Sequence, residues 1–276
     1  MAGSAAFFDL DKTVITKSSV LAFGRPLYQG GLMSRGAVLR AAYAQLVYKI
    51  AGADEDQMAR TRDYLAKLCA GWPVEQVNQI VAETLHDLID PYIYAEAAAL
   101  IEEHQAAGRD VILVSASGEE MVRPIGQLLG VDDVIATRMV VADGRYTGEV
   151  ETYVAGPVKA EAITALAAER GYDLSESYAY SDSVTDVPML ETVGHPTAVN
   201  PDRGLRKVAA ERDWPMVTFK HPISLRKRFA SLREKPAIPT ATLAIGLGIA
   251  VAVGLIWYGK RRKAARLRAT AALGTA

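Results

Sequence analysis

Along residues 5–219, short runs of consecutive apolar residues alternate with longer stretches in which apolar positions recur every three or four residues. The first run, AAFFDLD at 5–11, ends in carboxylates. It predicts a buried parallel strand, since a strand covered on both faces shows no apolar–polar alternation. DVILVSAS (110–117), SYAYSDS (177–183), the start of HPTAVNPDRGLRKVAAERD (195–213) and PMVTF (215–219) read the same way. Helical spacing covers 36–50, 54–70, 73–89, 118–130, 156–171 and the later part of 195–213. Residues 54–70 begin with acids and 73–89 with proline, both signals for a helix start. RMVVADGRYTGEVET (138–152) predicts a hairpin around Asp143 and Gly144, a pair suited to a tight two-residue turn. Strands alternating with helices predict an α/β fold, a doubly wound parallel sheet covered on both faces. Residues 17–107 read mostly as helix and separate the first two strands. They are expected to form a helical cap inserted into a core of residues 1–16 and 108–220.

Beyond that core the pattern changes. Residues 238–258, IPTATLAIGLGIAVAVGLIWY, carry no charge and are long enough as a helix to cross about 30 Å of hydrocarbon. A basic linker (221–237) and a basic tail (259–276) flank them, and Trp257 and Tyr258 fall where aromatic rings prefer the headgroup level. A C-terminal transmembrane helix in contact with anionic lipid is therefore expected. The formal net charge of −1 hides this division. From Trp214 onward there are 12 Lys and Arg against one acid, Glu234, so the body before it is strongly acidic. Residues 220–237 and 259–276 carry six Lys and Arg each, which leaves orientation open by the positive-inside rule. The N-terminus lacks a basic start and Asp9 interrupts its apolar run, so no signal peptide is expected and the body is placed in the cytoplasm. A single cysteine, Cys69, excludes a disulfide scaffold within the chain and fits a small core side chain in a helix.

In parallel sheets, ligands bind outside the C-terminal ends of the strands. The residues there are Asp9, Asp11 and Thr13 after the first strand, Ser115 after the second, and Ser181, Asp182 and Asp186 after a later one, with Lys159 opening the helix before it. Each Asp alone is more readily a loop carboxylate or helix cap. Together, four carboxylates in one cleft repel strongly unless cations relieve them, and their oxygens suit Mg2+. Lys159 supplies a second cation, and Ser115 and Thr13 supply donors for a phosphoryl oxygen. The four histidines lack zinc-ligand spacing, and no Walker-type glycine loop is present.

These motifs resemble the haloacid dehalogenase-like phosphatases. FFDLDKT at 7–13 is similar to their Asp-x-Asp-x-Thr motif. A strand ending in Ser115, Lys159 opening a helix and SDSVTD at 181–186 follow in the family's order. Residues 5–219 are laid out like the phosphoserine-phosphatase branch, with a helical cap after the first motif. Ser183 and Thr185 stand where that branch usually has Gly and Asn. The resemblance implies a phosphate monoester hydrolase in which Asp9 is the nucleophile and forms an aspartyl-phosphate. It implies that Asp11 is general acid and base, and that Thr13, Ser115 and Lys159 bind phosphoryl oxygens. Mg2+ would be held by Asp9, the Asp11 carbonyl and Asp182, with Asp186 in or beside the set.

Phosphoserine phosphatases hold the substrate ammonium with a cap glutamate. Here the matching stretch, VITKSSVLAF, offers Ser18 and Ser19 and no acid. From Lys12 through Ala53 there is no Asp or Glu, while Lys12, Lys17, Arg25, Arg35, Arg40 and Lys49 are basic. The substrate stays open between a phosphoserine-like monoester and a lipid-linked or otherwise anionic one, and the missing acid argues for the second. The alternative is that these bases form solvated helix faces. Two rival functions use the same residues: phosphoryl transfer from Asp9 to an alcohol, and a silent membrane-tethered scaffold. Nucleic acid is not an expected partner, and a homodimer is compatible with the chain.

Overall fold

The first apolar run becomes β1 (Ala5–Phe8). In this computed structural model, which describes residues 3–34, 63 and 66–223, all four of its side chains are fully buried. Ala6 and Phe8 enter one core layer, Ala5 and Phe7 the other. Burial of each phenylalanine stabilises the fold by about 1.5–3 kcal/mol. β1 lies between β3 (Asp110–Gly118) and β6 (Tyr178–Ser181), parallel to both. β4 (Asp133–Ala142) and β5 (Arg145–Thr152) extend the sheet on one side, β7 (His195–Val199) and β8 (Met216–Val217) on the other. The order is β5-β4-β3-β1-β6-β7-β8, with β5 antiparallel to β4 and the other pairs parallel. The Phe8 layer also holds α1 (Ser19–Gln29), α2 (Val74–Leu88), α3 (Ala95–Ala106) and α4 (Glu119–Leu129). The Phe7 layer holds α5 (Pro157–Arg170), α6 (Val187–Glu191) and α7 (Arg203–Glu211). The predicted α/β sheet with helices on both faces is present.

Three details differ from the sequence pattern. The helix α3, grouped with the cap by its position before residue 108, packs against β1 and β3 through Ala97, Ala98 and Ile101. A parallel crossover needs a helix on the sheet face, and α3 fills that place. Second, β4 starts five residues before the predicted hairpin, because residues from Asp133 first pair in parallel with β3. Third, a short antiparallel pair joins β2 (Ile93–Tyr94) to β9 (Pro222–Ile223). Glu96 reinforces that junction. Its carboxylate accepts from the Lys220 N–H at 3.0 Å and from His221 Nδ1 at 2.7 Å.

The hairpin turn is where the sequence put it, with Asp143 and Gly144 at φ 49° and 71°. Its tip grips the inserted segment. The Gly71 and Val74 N–H groups donate to the Tyr146 and Gly144 carbonyls, and the Tyr146 N–H donates to Trp72. The predicted helix at 36–50, most of that at 54–70, and the membrane span at 238–258 with its tail lie outside the described residues. Among the described residues no helix is long and apolar enough to cross a membrane.

Candidate active site

The chain leaves the sheet just after β1. The Asp9 N–H still bonds the Tyr180 carbonyl at 2.9 Å, and then the Val14 and Ile15 N–H groups both return to the Leu10 carbonyl. Lys12 takes a left-handed φ of 67° within this loop. The turn folds Thr13 back on Asp9, so that Thr13 Oγ1 donates to Asp9 Oδ2 at 3.0 Å.

Lys159 enters from the first turn of α5, after Gly156 and Pro157 set the helix start. It is 3% exposed, and its Nζ donates to Asp9 Oδ1 at 2.7 Å and to Asp186 Oδ2 at 2.8 Å. Burial disfavours this ammonium, but Asp186 and Asp9 outweigh that and hold its pKa above the ordinary lysine value. Ser181 Oγ donates to the same Asp186 oxygen at 2.7 Å. Asp186 therefore faces Lys159 and Ser181, and a metal would have to share it with them.

Asp182 follows β6. Its carbonyl accepts the Asp202 N–H at 2.8 Å, and Asp202 in turn accepts from the Val184 and Leu205 N–H groups. The Asp182 side chain is buried, and its ion pair is with exposed Lys12 at 3.9 Å. Burial, then the charge of Asp9, push its carboxyl up to about 8 against the pull of Lys12. Asp9 is pushed up to about 6 by burial, with Lys159 opposing.

Ser115 is 2% exposed and lies two residues past Leu113, the partner of Phe8 in the sheet. The β3–β4 register shifts between Ser115 and Gly118, which bends the strand there. Ser115 Oγ accepts the Ser117 N–H at 3.2 Å. Asp11 is held from two directions, by the Ser19 N–H on Oδ1 at 2.9 Å and by Ser117 Oγ on Oδ2 at 3.3 Å. Burial pushes its pKa up, and these donors oppose the shift.

Of the eight residues singled out in the sequence, Lys159 joins Asp9 to Asp186, Thr13 bonds Asp9, Ser181 bonds Asp186, Asp182 feels the charge of Asp9, and Ser117 links Asp11 to Ser115. Ser117 and Asp202 were not anticipated. Ser117, two positions past Ser115 and still within β3, carries no signal of its own, whereas Asp202 precedes a helix and could have been read as its cap. The donor chemistry suits a hard cation, since burial holds the Asp9 and Asp182 carboxyls above their ordinary pKa and a cation would favour their ionised forms. Among the described residues no three carboxylate, imidazole or thiolate groups form a ready-made ligand cluster. A cation here would use two carboxylates with carbonyl and water oxygens, a set that fits Mg2+. A cleft of about 890 Å3, lined by Tyr178, His195 and Trp214, opens at the starts of β6 and β7. It is at the opposite strand ends and apart from this chemistry.

Residues 6–191 match the model of the haloacid dehalogenase-like hydrolases. The chain belongs to that family. This haloacid dehalogenase-like hydrolase is 63% identical over 264 residues to an "inhibition of morphological differentiation protein" of Streptomyces azureus, covering 95% of each chain. It is 54% identical over 262 residues to a protein of Mycobacterium tuberculosis named a probable phosphatase, covering 95% of this chain and 90% of that one. A solved phosphoserine phosphatase carrying a phospho-aspartyl intermediate analogue shares its fold, with a TM-score of 0.58 at 20% identity, over 84% of this chain and 99% of that one. The hydrolase is a phosphatase of this family.

Proposed function

We propose that this phosphatase hydrolyses phosphate monoesters through an aspartyl-phosphate on Asp9. The observation that carries the reading is the buried Lys159 ammonium bonded to both Asp9 and Asp186, with Asp11 held two residues away. An Asp9 carboxylate oxygen attacks phosphorus. As the bond from phosphorus to the ester oxygen breaks, Asp11 gives that oxygen a proton and the alcohol leaves. Asp11, now a carboxylate, then takes a proton from water as the water oxygen attacks phosphorus. The Asp9–phosphorus bond breaks, inorganic phosphate leaves, and both aspartates return to their starting forms. Lys159, Thr13 and Ser115 offer donors to the phosphoryl oxygens, and Asp186 with Ser181 keeps Lys159 aimed. Asp9, Asp182 and the Asp11 carbonyl would hold Mg2+, whose charge lets an anionic nucleophile meet an anionic phosphate.

For the substrate we propose a monoester whose organic part is anionic or lipid-linked. The stretch at 14–23, which holds Ser18 and Ser19 at the start of α1, has no acid where the related branch places its ammonium-binding glutamate. Lys12 stays largely exposed beside Asp182, and the Lys17 ammonium lies 3.5 Å from the Tyr92 ring centre. With Lys17 and no acid in residues 14–23, an anion is favoured over an amine. The segment between β1 and β2 would then act as the cap. The uncharged run at 238–258 supports a membrane location, which retention of the full chain in carbonate-washed membranes would test.

The test is Mg2+-dependent phosphate release from phosphoserine, sugar phosphates and lipid monophosphates, with Asp9→Asn as control. Expected are release from the anionic or lipid members and none from the variant. Turnover by purified Asp9→Asn overturns the aspartyl-phosphate, and a preference for phosphoserine overturns the substrate class.

A further inference from the structure

Two buried hydroxyls next to Asp11 are not used by the chemistry above. Ser19 is fully buried and Ser117 is 5% exposed, although both are polar. Their oxygens are 2.7 Å apart, across 98 residues of sequence. Ser117 Oγ also reaches Asp11 Oδ2, and the Ser19 N–H reaches Asp11 Oδ1. Ser19 is the first residue of α1, whereas Ser117 follows the bend of β3 with its N–H on Ser115. The Asp11 carboxyl is thus gripped by Ser117 from the core sheet and by Ser19 from the first inserted helix, with Ser18 adding a side-chain hydrogen bond, and Ser117 and Ser19 are bonded to each other.

The order of these bonds matters because a hydroxyl carries one proton and two acceptor sites. With Asp11 as a carboxylate, Ser19 Oγ–H can donate to Ser117 Oγ, and Ser117 Oγ–H to Asp11. When Asp11 carries its proton on Oδ1, the oxygen not bonded to Ser117, the same donation from Ser117 to Oδ2 persists. The pair therefore keeps a single carboxyl orientation through both steps, which suits a side chain that first gives up a proton and later takes one.

We propose that Ser117, bonded to Ser19, is a positioning residue that orients the Asp11 carboxyl and ties that orientation to the seating of α1. This rests on the reading of Asp11 as the acid that protonates the leaving oxygen. Proton delivery matters most when the leaving group is a poor one, and it matters little for p-nitrophenolate, which departs as a stable anion.

The experiment uses the full chain with Mg2+ and compares kcat/KM, which reports the step that expels the alcohol, on phenyl phosphate and on p-nitrophenyl phosphate. Ser117→Ala is expected to lose about tenfold more on phenyl phosphate than on p-nitrophenyl phosphate, a modest part of the whole acid-catalysis effect. Ser117→Thr, which keeps the hydroxyl, should restore most of that difference. Ser19→Ala keeps its N–H and should show the same selectivity at smaller size. It stands in for Ser117→Ala if that variant melts too low to assay. Asp11→Asn serves as the reference and should show the largest selective loss. Equal losses on both esters for Ser117→Ala and Ser19→Ala, with a selective loss in Asp11→Asn, would overturn the positioning role and leave Asp11 as acid. No selectivity in Asp11→Asn would overturn the acid reading itself, and the positioning role with it.

Discussion

Lys159 is the side chain on which the crevice balances. It is the buried cation between Asp9 and Asp186, and removing it leaves two carboxylates without their partner. Lys159→Met is therefore expected to lower stability by about 3–5 kcal/mol as well as abolish turnover, measured by urea denaturation of the metal-free protein. Asp186→Asn keeps an oxygen for Lys159 and Ser181 and should cost less. A Lys159→Met variant as stable as the parent would mean that the ion pairs do not hold the site together. The charged members of this site were legible in the sequence because each stands at a strand end or helix start, where few residue types have a reason to be acidic or basic. The hydroxyls that hold Asp11 were not. Serine is common, and nothing in SSVLAF or SASG says that Ser19 and Ser117 meet across the fold. The balance between Lys159 and its two carboxylates was equally hidden, since a carboxylate that binds a metal and one that orients a lysine look the same in sequence.

At the level of elements, the hairpin of β4 and β5 fastens the inserted segment by backbone bonds at residues 71–74. Gly148 marks how closely they meet. At φ +89°, an added Cβ would lie 2.9 Å from the Ala70 Cβ. Gly171 ends α5 at φ +72° with nothing near its missing Cβ. Both Ala variants carry the same kind of left-handed strain, of order 1 kcal/mol. Gly148→Ala should lose about 1–2 kcal/mol more than Gly171→Ala, because only there must two chains part. Equal melting temperatures for the two variants would show that the hairpin gives way without cost. The turn itself was readable, since Asp-Gly between alternating residues specifies few geometries. The parallel start of β4 was not, because residues 133–137 are too short to separate from a loop. The place of α3 was hidden too. Its alanine-rich sequence has weak periodicity, and the face that meets the sheet is made of small residues such as Ala97 and Ala98.

For the molecule as a whole, buried charge sets a pH dependence. The carboxyl of Asp182, raised to about 8, binds a proton in the folded form that the unfolded chain gives up near pH 4. Its contribution is complete below about pH 4 and is lost as pH rises through about 8. Asp9, raised to about 6, loses its share earlier. His104 runs the other way. Burial, and then Arg109, lower it to about 4, so it favours folding increasingly up to about pH 6.5. Between pH 6.5 and 8.5 Asp182 is left to dominate. Without metal, stability should fall there by about 1–2 kcal/mol. Mg2+ should raise the melting temperature more at pH 8.5 than at pH 6.5, because it binds the ionised form. Calorimetry with EDTA and then Mg2+ reads both, and a metal-free stability that rises over this interval would contradict the charge balance. The pairing of β2 with β9 has a mechanical meaning. Ile93 bridges to Ile15, and Ile15 to Asp11, while Ile223 and the Glu96–His221 clasp hold the point where the chain runs on toward its C-terminus. Tension on the chain beyond Ile223 is borne first by that clasp and its two short strands, and the next link it loads is the loop that carries Asp11.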